Sequence, residues 1–127
     1  MEVDARTVYA AVGGGETFDR IVAHFYEGVA EDAVLRAMYP EDLADSRRHL
    51  SLFLQQYFGG PSTYSEERGH PRLRMRHFPF AIGQAERDAW MRHMRAAVEA
   101  ERFPAEIEQV LLDYFDRAAT FMMNRER

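Results

Sequence analysis

Thr17-Phe18-Asp19-Arg20-Ile21-Val22-Ala23-His24-Phe25-Tyr26-Glu27-Gly28-Val29 decides the class of fold. Its apolar members Phe18, Ile21, Val22, Phe25, Tyr26 and Val29 return every third or fourth position. That is the period of one helical face, not the alternation of a strand. Gly13-Gly14-Gly15 punctuates the start of the helix, and Glu16 or Thr17 suits its first turn.

Reading outward, the same periodicity recurs and strand signals are almost missing. Residues 4–12 predict a shorter preceding helix carrying Val8, Tyr9 and Val12. Val34, Leu35 and Met38 predict one turn of helix stopped by Pro40. The next helix is predicted to start at Asp45 or Ser46, both good N-caps. Leu50, Phe53, Leu54 and Tyr57 form its inward face, widened by Leu52 and Phe58, and Gly59-Gly60-Pro61 ends it. A third stripe runs Trp90, Met94, Ala97 and Val98. Pro104 suits the first turn of a fourth helix, with Ile107, Val110, Leu111, Tyr114, Phe115, Ala118, Phe121 and Met122 inward. Residues 61–83 are cut by Pro61, Gly69, Pro71, Pro79 and Gly83 and read as one long loop, rich in arginine and histidine. A loop of that length in a small domain is usually functional or disordered. The expectation is a single all-α domain over residues 1–127 with four main helices.

Composition removes whole classes of chemistry. The 127 residues are 46% hydrophobic and 29% charged, enough to bury a core without staples. Cysteine is absent, which excludes disulfides, thiolate metal sites and cysteine nucleophiles. All 16 basic residues are arginine, which excludes lysine Schiff bases and the P-loop lysine. The net charge of −5 argues against nucleic acid, although the arginines of residues 68–76 with Tyr64, Phe78 and Phe80 nearby are the one stretch that invites that reading. No run is long and apolar enough for a membrane span, and the start lacks a signal-peptide core, so the expected setting is cytoplasmic. The glycines at 13–15 lack the spacing of a nucleotide loop. His24, His49, His70, His77 and His93 form neither HxxxH nor HExxH, and no serine elbow is present. Unaided, the residues lead to a helical domain with an anion-facing loop.

Tyr57-Phe58-Gly59-Gly60-Pro61-Ser62-Thr63-Tyr64-Ser65-Glu66, continued by Arg68-Gly69-His70-Pro71-Arg72-Leu73-Arg74-Met75-Arg76-His77, is far more specific. With Val12-Gly13-Gly14, Thr17-Phe18, Phe25-Tyr26, Met38-Tyr39-Pro40-Glu41-Asp42-Leu43 and Glu86-Arg87-Asp88-Ala89-Trp90, it resembles the group II truncated haemoglobins over about residues 7–123. The resemblance implies a two-on-two helical sandwich holding haem, iron protoporphyrin IX. It makes His77 the single axial ligand of iron, as a neutral imidazole whose second nitrogen donates to an acceptor that the sequence does not identify. It places Tyr26, Tyr39 and Trp90 as polar donors at the sixth coordination position, with Ser46 and Leu50 completing that distal side. Tyr64 and Arg74 are the first choices for the haem propionates, with His70 and Arg76 behind them. Phe53, Leu73, Phe80 and His49 complete the expected cofactor contacts. Two residues depart from the family pattern: Phe58, where tryptophan is common, and His49, where arginine is common. The second departure removes a propionate partner or substitutes a pH-dependent one.

The function so implied is binding of oxygen and other diatomic ligands, with peroxidase-like, nitric-oxide or sulfide chemistry left open. A donor-rich distal site suits retention of oxygen better than its transport. Repeated turnover requires an electron-donating reductase as partner, and a homodimer is left open. The rival class is a helical interaction or sensor module that kept the globin shape without haem.

Overall fold

The computed structural model describes residues 3–126, and every element among them is helical. A 3-10 turn, Ala5–Thr7, leads into α1 (Val8–Ala11), α2 (Gly15–Glu31), α3 (Ala33–Arg36) and α4 (Ala44–Tyr57). There follow α5 (Thr63–Arg68), α6 (Leu73–His77), α7 (Gln84–Ala100) and α8 (Ala105–Phe121). The two longest pairs make the body: α2 packs on α4 and on α7, and α7 packs on α8. This is the two-on-two sandwich. The stripe of α2 is buried along its full length, from Phe18 through Val29. Four phenylalanines, Phe18, Phe25, Phe58 and Phe115, sit at the centre with no more than 1% exposure. Truncating any of them to alanine costs about 3–5 kcal/mol, because so dense an interior closes poorly over the gap.

Local rules explain most of the ends. Asp4 caps the 3-10 turn by accepting from the Arg6 amide at 2.9 Å. Thr17 ties the start of α2 to the preceding turn through the Val12 carbonyl at 2.6 Å. Three expectations need correction. The N-cap position of α4 is Leu43, and Asp42 just before it accepts from the Ala44 amide at 2.9 Å, so the helix starts before Asp45 and Ser46. Phe121, expected inward, is 62% exposed, because the last turn of α8 runs past the end of the core.

The third correction concerns residues 61–83, which are not one loop. They hold α5 and α6, separated by Gly69-His70-Pro71-Arg72. Helices of one to two turns are too short to show a period and form only where tertiary contacts hold them. Here Gln56 on α4 clasps Ser65 of α5 twice, at 2.8 and 2.9 Å. Downstream, Asn124 and Ile82 exchange two hydrogen bonds of 2.9 Å, which pins residue 82 to the chain beyond α8. Upstream, Gly59 lies so close to the Arg6 carbonyl that a Cβ would overlap it, at a φ of 102° that favours glycine. The segment is fixed at both ends.

Candidate functional site

One cavity of about 390 Å³ lies inside the sandwich, within the range of small-molecule sites. Part of its wall comes from the long helices: Tyr26 of α2, Ser46 and Leu50 of α4, and Trp90 of α7, with Leu35, Met38 and Tyr39 from α3 and the residues after it. Another part comes from the short helices, through Tyr64, Arg68, Leu73, Arg76 and His77, with Phe80 beyond them. Phe53, Tyr114, Phe115 and Met122 add apolar and aromatic surface.

His77 closes α6, and the helical geometry of that single turn fixes its ring. Its Nδ1 lies 2.6 Å from the Leu73 carbonyl, four residues back, and can only be the donor there. In the neutral ring the tautomer follows: Nε2 carries no proton and can donate its lone pair. Among the described residues, no three His, Cys, Asp or Glu side chains gather to hold a bare metal ion. A single oriented imidazole beside a large apolar cavity fits a metal that brings its own equatorial ligands.

The long-helix wall offers fixed donors. Trp90 packs edge-on against Phe25 at 5.2 Å between ring centroids, and tilted against Phe115 at 5.9 Å. Tyr26 meets Tyr39 edge-on at 5.6 Å. Burial pushes the Tyr39 phenol up to about 12, although hydrogen bonding with Trp90 and Tyr26 pulls the other way. Burial is also the main cause raising Tyr26, followed by the neighbouring Tyr39, while Ser46 acts in the lowering direction. Both hydroxyls therefore stay protonated at any ordinary pH and remain donors. A cavity lined mainly by apolar side chains strengthens each such dipole.

The cationic groups of the other wall are Arg68 and Arg76. Arg68 lies above the Tyr64 ring, 6.0 Å from its centroid, and one of its guanidinium nitrogens approaches His49 Nδ1 to 2.5 Å. Desolvation first and the Arg68 charge second hold the His49 pKa below its ordinary 6.5. A neutral His49 accepts from Arg68, so the pair is compatible without a carboxylate. Arg76 is braced by the Pro71 carbonyl at 2.8 Å and the Arg68 carbonyl at 3.3 Å.

Residues 7–124 match the family model described as bacterial-like globin. The chain belongs to that family. It is 39% identical to the group 2 truncated hemoglobin YjbI of Bacillus subtilis, over 92% of this chain and 88% of that protein. Among solved structures it is similar to the thermostable hemoglobin of Thermobifida fusca, at 59% identity and a TM-score of 0.93, covering 95% of this chain and 99% of that one. The hemoglobin of Chloroflexus aurantiacus gives 55% identity and a TM-score of 0.92, over 94% and 98% of the two chains. The resemblance to group II truncated haemoglobins and the all-α two-on-two fold therefore stand, and the family implies haem binding.

In this globin the expected site residues fall into two sets. Tyr26, Tyr39, Ser46, His49, Leu50, Phe53, Tyr64, Leu73, Arg76, His77, Phe80 and Trp90 all line the cavity. His70 and Arg74 do not. His70 is exposed, and its Nδ1 accepts from the Arg72 amide at 3.1 Å, where Arg72 adopts a left-handed φ of 44°. Arg74 donates to the Phe121 carbonyl at 3.1 Å and lies over that ring at 5.7 Å. In a helix from residue 73 to 77, side chains 74 and 76 point in widely different directions, so only one of them can turn to the cavity. Sequence reasoning passed over Arg68. The signal was available, since Tyr64 and Arg68 are four apart and share a face once α5 is helical. No helix among the described residues is long and apolar enough to cross a membrane.

Proposed function

We propose that this globin holds iron protoporphyrin IX in the cavity through Nε2 of His77 and binds oxygen, with nitric oxide and carbon monoxide as competitors. The hydrogen bond from His77 Nδ1 to the Leu73 carbonyl carries the reading, because in the neutral ring it leaves Nε2 free to ligate iron. When bound, haem supplies a ferrous iron whose sixth position accepts a diatomic ligand. Tyr26, Tyr39 and Trp90 donate toward a ligand that gains negative character on binding, and each such bond slows its departure. Leu50, Leu35 and Met38 exclude water from those donors, which strengthens them. Arg68 and Arg76 pair with the haem carboxylates, with Tyr64 adding a hydroxyl at the same rim. Several donors and little polar competition favour retention of oxygen over its delivery. Peroxidase-like or nitric-oxide chemistry is the natural extension, with a separate reductase supplying electrons in a cytoplasmic setting.

The absorbance spectrum of the purified, haem-supplemented protein tests this. A Soret band with a ferrous five-coordinate histidine signature is expected, converting to oxygen- and carbon-monoxide-bound forms. A chain that takes up no haem after supplementation would leave the interaction-module reading in its place.

A further inference from the structure

The single turn of α3 cannot hold itself, since so short a helix does not repay its nucleation. Side chains hold it at both ends. At its start, Asp32 Oδ1 accepts from the Val34 amide at 2.9 Å. At its end, the Arg36 guanidinium donates to three successive carbonyls, those of Tyr39 at 3.3 Å, Pro40 at 2.9 Å and Glu41 at 2.7 Å. The backbone of Tyr39 therefore moves with α3.

The second carboxylate oxygen of Asp32 leaves the segment altogether. Oδ2 accepts from His93 Nε2 at 2.6 Å and from Arg92 at 3.2 Å, both on α7. Asp32 and His93 are the sheltered partners, with side chains 11% and 21% exposed, whereas Arg92 is 64% exposed and screened by water. His93 stands one turn after Trp90 on the same helix. Gly28 of α2 makes room for it, because a Cβ there would overlap the His93 ring. The connection runs from Trp90 to His93 along α7, from His93 to Asp32, through α3 to Arg36, and from Arg36 to the Tyr39 carbonyl, and Tyr39 lines the same cavity as Trp90.

We propose that Asp32 is a positioning residue which, through His93 on one side and the first turn of α3 on the other, sets how the Tyr39 hydroxyl meets the Trp90 indole. It touches neither cofactor nor ligand. This inference rests on the haem-pocket reading for its functional meaning, but not for its geometry. The alternatives for this cluster are weaker. A carboxylate serving only as a helix cap uses one oxygen, and here the second one is spent on another helix. A bare ion site needs a third metal-binding side chain, and none is present among the described residues.

Trp90 is the only tryptophan, so its indole N–H gives one resolved proton signal. The experiment compares that signal, its exchange with solvent and the oxygen dissociation rate in the holoprotein and in Asp32→Ala. The expected result is a displaced indole resonance, faster exchange and dissociation raised about two- to tenfold, the loss of one oriented hydrogen bond. His93→Gln, which retains a donor toward Asp32, should stay near the parent, and Arg92→Ala should match it. A drop in melting temperature with the indole signal and the dissociation rate unchanged would reduce Asp32 to a cap and overturn the proposal. If Asp32→Ala does not fold, Asp32→Asn keeps an acceptor for the cap while removing the charge, and parent-like values there overturn it equally. Absence of a Soret band would sink the haem reading instead, while the indole signal would still report on the positioning.

Discussion

The two sides of the cavity are built on different principles. The donors Tyr26 and Trp90 sit on helices of 17 residues whose own stripes fill the core. His77, Arg68 and Arg76 sit on helices of five or six residues, with Met75 and Phe78 left 61% and 69% exposed beside them. Of the groups proposed to aim at a small ligand, these two stand on rigid elements, where packing limits their drift, while Tyr39 follows the four-residue α3 and depends on side chains for its place. The groups proposed to hold a large flat cofactor stand on short helices fixed by protein contacts, and a cofactor bound only by the native state would add stability there by mass action.

The largest expected effect breaks the gripping side. His77→Gly should abolish the iron–histidine stretching band and the five-coordinate ferrous spectrum, with added imidazole restoring both. An unchanged band in the variant would move the axial ligand elsewhere and undo the contrast at its root.

Next come the rigid donors. Trp90→Phe should raise oxygen dissociation about two- to tenfold, the equivalent of roughly 0.5–1.5 kcal/mol of net hydrogen bonding. Tyr26→Phe should do less, because Tyr39 stands beside it and retains a hydroxyl. Stopped-flow displacement on both single variants and the double variant measures the ranking. Equal rates in Trp90→Phe and parent would leave the indole as packing alone.

A smaller effect sharpens the division among the arginines of α5 and α6. Arg68→Ala and Arg76→Ala should each speed haem transfer to an acceptor protein about two- to fivefold, a charge-assisted bond discounted for solvent screening. Arg74→Ala should transfer haem at nearly the parent rate, since its guanidinium is engaged by Phe121. The reverse order would restore Arg74 as the propionate partner.

The smallest effect is one of pH. The folded protein holds the His49 pKa below 6.5, so the unfolded chain binds the proton more readily. The stability contributed by neutral His49 is thus complete above pH 6.5 and is lost as the pH falls through its folded value. Denaturant titrations of His49→Gln should show a shallower loss of stability than the parent below pH 6.5. Identical slopes would mean that neither burial nor the Arg68 charge holds the His49 pKa down.

The same division governs what could be read from the sequence. The stripes from Phe18 to Val29 and from Trp90 to Val98 span enough turns for their period to identify them. His77, Tyr26, Tyr39 and Trp90 became legible only through the resemblance, since each alone looks like an ordinary loop or core residue. Helices α5 and α6 stayed hidden because Pro61, Pro71 and Pro79 flank them and neither contains two full turns. With α6 unread, neither the Leu73 carbonyl behind His77 nor the opposed directions of Arg74 and Arg76 could be inferred. Asp32 was invisible for another reason: its partners, Val34 on α3 and Arg92 and His93 on α7, lie on separate helices that no local pattern connects.

The close approach at Gly59 has a consequence for the order of assembly. The Tyr9 amide donates to the Phe58 carbonyl at 2.9 Å, and the Tyr9 ring covers Gly60. During synthesis, residues 5–12 emerge roughly fifty positions before the clasp that receives them, and long-range contacts of this kind close late. Until then the ring of Tyr9 has no seat, and the face of Phe18 that it later stacks upon is uncovered. The N-terminal turn is accordingly a latch, shut only after α4 exists, and it seals the nascent core at the point where the segment of short helices begins.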